Sequence, residues 1–201
     1  MGDAEDGAQN LKIVLLGDSG VGKTSIVNYF VTGGNPGMTK PTVGAAFVNK
    51  PMVLDGQSFD LLIWDTSGQE IYRGLAPMYY RNANIAFIVY DITKTKSFES
   101  VDYWVGELQK NLDESVVVLV IGNKCDLDSD RQVDSATAQS WADSHHAMFI
   151  ETSAQTGIQI DRAFQMCVKQ FVNVSNPSPN TQQGINIEES QQQAGKTKKC
   201  C

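Results

Sequence analysis

With 201 residues and 41% hydrophobic content, the chain has the length for one domain with tails and the apolar share for a packed core. Its net charge of −7 argues against non-specific binding to nucleic acid, and no nucleic-acid partner is expected. No run of about 20 apolar residues is present, so no membrane span is expected.

Residues 1–10 read as a flexible start. Met1-Gly2-Asp3-Ala4-Glu5-Asp6 is acidic and lacks an apolar stretch, so it is not expected to be a secretory signal. Asp6 also stands where myristoylation needs Ser or Thr. From Leu11 to Asn173, apolar runs of strand length alternate with helix-length segments. The pattern predicts strands at 11–16, 44–54, 58–64, 85–91, 116–122 and 147–151. It predicts helices at 23–32, 97–112, 134–145 and 157–172. Asp55-Gly56 reads as a hairpin turn joining two antiparallel strands, while the rest follows the β-then-α order of a mainly parallel sheet. The expected fold is therefore α/β, and its ligands should bind beyond the carboxyl ends of the strands.

The first strand runs into Gly17-Asp18-Ser19-Gly20-Val21-Gly22-Lys23-Thr24, a complete phosphate-binding loop. Its glycines let successive backbone N–H groups turn inward onto phosphate oxygens. Lys23 can reach the outer phosphates, Thr24 can offer its hydroxyl to Mg²⁺, and the following helix adds its positive end. The third strand ends in Asp65-Thr66-Ser67-Gly68-Gln69. Asp65 can hold the magnesium, Gly68 can bring its N–H close to a γ-phosphate, and neutral Gln69 can orient an attacking water. After the fifth strand, Asn123-Lys124-Cys125-Asp126 supplies a carboxylate. It can accept two parallel hydrogen bonds from the ring N–H and the amino group of guanine, a pair that adenine lacks. Lys124 can lie along the base plane with its aliphatic stem. After the sixth strand, Glu151-Thr152-Ser153-Ala154 offers backbone N–H groups to the guanine oxygen.

His145 and His146 close a predicted helix, where its dipole favours them. Cys125 and Cys167 fall inside the predicted domain, Cys200 and Cys201 end the chain, and no Cys-x-x-Cys pair suggests zinc. A reduced, cytosolic setting is expected. From residue 174 to 201 the composition turns to Pro, Ser, Gln and Lys without apolar periodicity, so this tail is expected to be disordered.

The four motifs, in this order and spacing, resemble those of the Ras-like small GTPases over residues 11–173. Thr42-Val43-Gly44-Ala45-Ala46-Phe47, Leu75-Ala76-Pro77-Met78-Tyr79-Tyr80-Arg81 and Val89-Tyr90-Asp91-Ile92-Thr93 resemble the Rab family, closest to its early-endosomal subgroup. The resemblance implies a P-loop small-GTPase fold, a six-stranded sheet with five helices on both faces, and a switch between GTP and GDP. It implies nucleotide contacts from Ser19, Gly20, Val21, Gly22, Lys23, Thr24, Ser25, Thr42, Gly68, Asn123, Lys124, Asp126, Ser153, Ala154 and Gln155. Magnesium would be held by Thr24, Thr42 and Asp65. Residues around 34–47 and 66–80 would be ordered by GTP and released on hydrolysis. Read alone, Thr42 would simply open a strand.

Phe47, Trp64 and Tyr79 match an exposed aromatic triad that reads effector proteins, although Trp64 suits core packing equally well. No arginine is marked as aimed at the phosphates from within the chain, Arg73 and Arg81 being nearest. Slow hydrolysis is therefore expected until a partner supplies an arginine, worth roughly 10³–10⁵ in rate. The paired ending Cys200-Cys201 does not fit the Cys-a-a-X pattern. It does fit Rab proteins that carry a geranylgeranyl group on each cysteine, and two lipid chains satisfy the requirement for stable anchoring. Lys196, Lys198 and Lys199 would add attraction to an anionic surface. A monomer is implied, served by an activating protein, an exchange factor, an escort protein and a dissociation inhibitor. It would divide between the cytosol and the cytosolic face of endomembranes, the early endosome above all.

Some positions depart from the family pattern. Ser67 stands for Ala, Gln155 for Lys, and Asn35 for an aromatic that stacks on guanine. Loss of that stacking, worth about 1–3 kcal/mol, predicts faster nucleotide release. Pro41 fixes the backbone before Thr42, and Ile71 replaces a frequent Arg. Two other readings compete: a GTP-dependent binding module with negligible hydrolysis, against which Gln69 speaks, and a P-loop kinase or ATPase, against which Asn123-Lys124-Cys125-Asp126 speaks.

Overall fold

The computed structural model describes residues 7–34, 37, 41–69, 76–112 and 115–175. The expectations for Asn35, Ile71, Arg73, Leu75 and residues 176–201, including Cys200 and Cys201, lie outside them.

Six strands form one sheet: β1 (Gln9–Leu16), β2 (Ala45–Leu54), β3 (Gln57–Thr66), β4 (Ile85–Asp91), β5 (Val117–Asn123) and β6 (Met148–Thr152). Their order across the sheet is β2-β3-β1-β4-β5-β6. Only the β2–β3 pair is antiparallel. It turns at Asp55 and Gly56, which have φ of 50° and 80°. Positive φ at both central residues is what a tight hairpin with matching strand twist requires. Every residue of β4 is buried, because helices cover both of its faces.

On one face lie α1 (Lys23–Thr32) and α5 (Ile160–Ser175); on the other lie α2 (Ala76–Tyr80), α3 (Thr95–Asn111) and α4 (Ser135–Ser144). In α5, Ile160, Ala163, Phe164, Cys167 and Val168 repeat at helical spacing and are all fully buried. Phe164 stacks on Phe30 of α1 with ring centroids 3.7 Å apart and meets Phe87 of β4 edge-on. Truncating such a ring to Ala typically costs about 3–5 kcal/mol.

The element boundaries differ from the sequence expectation where polar residues are involved. β1 starts at Gln9, inside the segment expected to be flexible, because Gln9 and Asn10 pair with Phe59 and Asp60 through the backbone. β3 continues through Asp65 and Thr66, which pair with Leu15 and Ala45. α5 starts three residues late, after the left-handed Gly157 and Gln159, and extends to Ser175. That end overlaps the predicted tail by two residues. α2 was implied by the resemblance alone.

Candidate nucleotide-binding site

The carboxyl ends of β1, β3 and β5 open onto a cavity of about 590 Å³. Its walls include Ser19, Gly20, Gly22, Lys23, Thr24, Ser25, Thr42, Gly68, Asn123, Lys124, Asp126, Ala154 and Gln155. Val21, Asp65, Gln69 and Ser153 stand just outside this lining and support it, as their contacts show. A volume near 600 Å³ is of the size that small-molecule and cofactor sites take.

The phosphate loop forms one end. Lys23 is 5% exposed and donates from Nζ to the carbonyls of Gly17 at 2.7 Å and Asp18 at 2.9 Å. Burial pushes its ammonium down to about 8, against the opposing pull of Asp65 and Asp18. A polyanion beside it would reverse that penalty. Gly68 lies flat against the Asp18–Ser19 peptide, where an added Cβ would overlap the backbone. Gln69 follows, partly buried, with its backbone N–H bonded to Ser67 Oγ at 3.3 Å.

Next to Lys23 the three residues proposed for magnesium come together. Thr24 Oγ1 donates to Asp65 Oδ2 at 2.6 Å and lies 2.8 Å from Thr42 Oγ1. Asp65 is 3% exposed, and its Oδ1 is buried without a hydrogen-bond partner among the described residues. Burial raises its carboxyl above the usual range, opposed by the Thr24 hydroxyl and the Lys23 charge. Hard oxygen donors around an unsatisfied buried carboxylate oxygen fit Mg²⁺.

The other end is assembled around Asn123, which is 1% exposed. Its Nδ2 donates to the Val21 carbonyl at 2.8 Å, while its Oδ1 accepts from Thr152 Oγ1 and the Ala154 N–H, both at 3.2 Å. One amide side chain thus ties the phosphate loop to the loop after β6. Gly22 makes room for it, since a Cβ there would overlap Asn123 Nδ2. Asp126 is exposed and accepts a short hydrogen bond from Ser153 Oγ. Lys124 has a φ of 69° and pairs at 2.7 Å with buried Asp91. Burial alone would raise the Asp91 carboxyl, but hydrogen bonds from Lys124 and Thr93 hold it below the usual range.

Sequence reasoning gave several contributors no place in the cavity or its support. Leu127 and Pro41 line the cavity, and Asp91 steers Lys124. Glu151, one residue before Thr152, is gripped by both terminal nitrogens of Arg131 at 2.6 and 3.0 Å. The signal for Asp91 was present, a lone acid ending a wholly apolar strand.

Outside the cavity, β2 and β3 bring Phe47 opposite Trp64, with ring centroids 5.3 Å apart. Tyr79 of α2 stands 5.9 Å from Trp64. Phe47 is 52% exposed, and Trp64 and Tyr79 are half-buried, so the three rings form a surface patch. Lys12 Nζ lies over the Trp64 ring at 5.3 Å. Arg81 is exposed and accepts from Lys12 Nζ through its backbone carbonyl. His145 caps α4 and stacks on Trp141 at 3.9 Å.

A phosphate loop, a converging set of magnesium-type ligands and a base pocket on a six-stranded α/β sheet define a nucleotide-dependent switch of the small-GTPase class. The Ras family model matches residues 12–173. The chain is 45% identical over 173 residues to Ras-related protein Rab-22A of Mus musculus, covering 86% of each chain. It is 42% identical over 193 residues to Ras-related protein Rab-31 of Rattus norvegicus, covering 96% of this chain and 98% of the relative. The chain belongs to the Rab proteins of the Ras family. It is accordingly a GTPase that binds GTP, GDP and Mg²⁺ and acts in membrane traffic through regulators and effectors.

Proposed function

We propose that this chain is a slow GTP timer on the cytosolic face of early endosomes, held there by geranylgeranyl groups on Cys200 and Cys201. The GTPase domain, expected at 11–173, takes in β1 from Gln9 and α5 to Ser175, and the residues after it carry the lipids. The observation that supports the site assignment is the joining of both cavity ends by Asn123, with Thr24, Thr42 and Asp65 convergent at one end and Asp126 and Ser153 at the other.

In this reading Ser19 to Ser25 wrap the phosphates, and Lys23 exchanges its carbonyl contacts for phosphate oxygens. Magnesium on Thr24, Thr42 and Asp65 neutralises phosphate charge when bound. Gly68 reports the γ-phosphate, and Gln69 orients the attacking water. Asp126 selects guanine, Lys124 and Gln155 flank the base, and Ala154 reaches its oxygen. Phe47, Trp64 and Tyr79 anchor effectors. The protein works as a monomer with an activating protein, an exchange factor, an escort protein and a dissociation inhibitor.

Competition between GTP and ATP, followed by single-turnover hydrolysis, tests the core of this proposal. GTP should win, and Gln69→Leu should slow hydrolysis by about 10- to 100-fold. Fast turnover that survives the substitution would remove Gln69 from its role. Mass spectrometry of protein from its native cells should show two lipids on the terminal cysteines; unmodified cysteines would remove the anchor.

A further inference from the structure

The base pocket has a support that comes from behind it. Tyr29 projects from α1, six residues after Lys23, and packs against the apolar cluster under that face of the sheet. Its hydroxyl lies 3.5 Å from the Thr156 carbonyl. Its ring lies against Gly157, where an added Cβ would overlap the hydroxyl and two ring carbons. Gly157 has a φ of 82° and donates its N–H to the Ser153 carbonyl at 2.8 Å. Thr156 N donates to Ser153 Oγ at 3.1 Å, and Ser153 Oγ donates in turn to Asp126. The ring therefore presses on the turn whose first residue holds the base-reading carboxylate.

We propose that Tyr29 is a positioning residue for the nucleotide base. It wedges the 153–157 turn toward the cavity, keeps Ser153 on Asp126 and slows nucleotide release. The proposal rests on the reading of Asp126 as the guanine contact. The contact is steric, made by the tip and edge of the ring at Gly157, because a 3.5 Å hydroxyl hydrogen bond is too long to contribute much. Gly157 is required twice, for its left-handed backbone and for the space that the ring fills. The same α1 begins at Lys23 and Thr24, so one helix braces both ends of the cavity.

The test is release of fluorescent GDP and of IDP, which lacks the guanine amino group, from the full chain with magnesium. Tyr29→Ala should release GDP about tenfold faster, a coupling within the range seen between contacting residues. It should also narrow the gap between GDP and IDP, which a general loosening of the fold does not do. Tyr29→Phe should stay within about twofold of wild type on both measures. Single-turnover hydrolysis of pre-bound GTP should keep its rate in both variants. Gly157→Ala should accelerate release as strongly as Tyr29→Ala, and by less when Tyr29 is already Ala. If Tyr29→Ala does not fold, Tyr29→Leu and Gly157→Ala carry the comparison. The proposal is overturned if Tyr29→Ala releases GDP within twofold of wild type, or if Tyr29→Phe loosens it as much as Ala. Wild-type protein that fails to prefer GDP over IDP would overturn the guanine reading and this proposal together. A preserved preference with unchanged release in Tyr29→Ala overturns this proposal alone.

Discussion

The two ends of the cavity are built differently. At the phosphate end one contiguous loop supplies the backbone turn and Lys23, which is locked onto two carbonyls of that same loop, and Thr42 and Asp65 join Thr24 from neighbouring strand ends. The base end is held together by side chains from separate strand ends, Asn123 at the end of β5, Asp126 after it and Ser153 after β6. A backbone site needs only its own turn to be correct. A side-chain site needs every element that carries a member to be in register, so its precision depends on residues that never meet the ligand.

The largest expected effect tests the base end. Asp126→Ala should reduce the preference for GTP over ATP by about 10³-fold or more, because a site built to pair with donor groups loses its discrimination when the acceptor goes. Unchanged preference in equilibrium competition would remove Asp126 from base selection. Asn123→Ala should weaken GDP binding by roughly 10²-fold, since it removes three hydrogen bonds of about 1 kcal/mol each and uncouples the two ends. A loss confined to base selectivity would show that the ends are independent.

Asp91→Asn addresses the support beneath Lys124. It should lower stability by about 2 kcal/mol, the scale of a hydrogen bond to a charged group, and thermal melting would measure it. The Asp91 carboxyl is held below its ordinary value in the fold. Its contribution is therefore complete above the unfolded carboxylate value and is lost as pH falls through the lowered one. The melting gap between wild type and variant should accordingly close on acidification. A gap that persists in strong acid would assign the effect to packing. The smallest expected change is Gln155→Lys, which should slow GDP release by a few-fold, about 0.5–1 kcal/mol, by restoring a stem beside the base.

This contrast also explains what was legible beforehand. The phosphate loop could be read because a contiguous backbone site needs a contiguous run of residue types, and Gly17 to Thr24 supply one. The hydrophobic runs likewise marked all six strands. They stopped short at Asp65 and Thr66, because backbone pairing carries a strand into polar residues without an apolar signal. Asn123, Asp126 and Ser153 could be read as separate motifs, but their meeting could not. Tyr29 and Gly157 are 128 residues apart, and nothing in either segment names the other. Lys124 and the lone acid Asp91 each stood out, but nothing joined them, because a salt bridge between strand ends leaves no local periodicity.

Neighbouring residues of β3 face opposite directions. Asp65 is buried beside Thr24, while the Trp64 ring contributes to the surface patch with Phe47 and Tyr79. Thr42 lies three residues before β2, and Ser67 N, just past β3, donates to Gly44 O at 2.7 Å. The strand ends that carry ligands to the cavity therefore carry the aromatic patch as well. Any coupling that this arrangement carries must run equally in both directions. Whatever factor GTP contributes to a partner's grip on the rings, the partner must return to the grip on GTP. An effector anchored on these rings would then be more than a reader of the timer: while bound, it would hold the nucleotide in place.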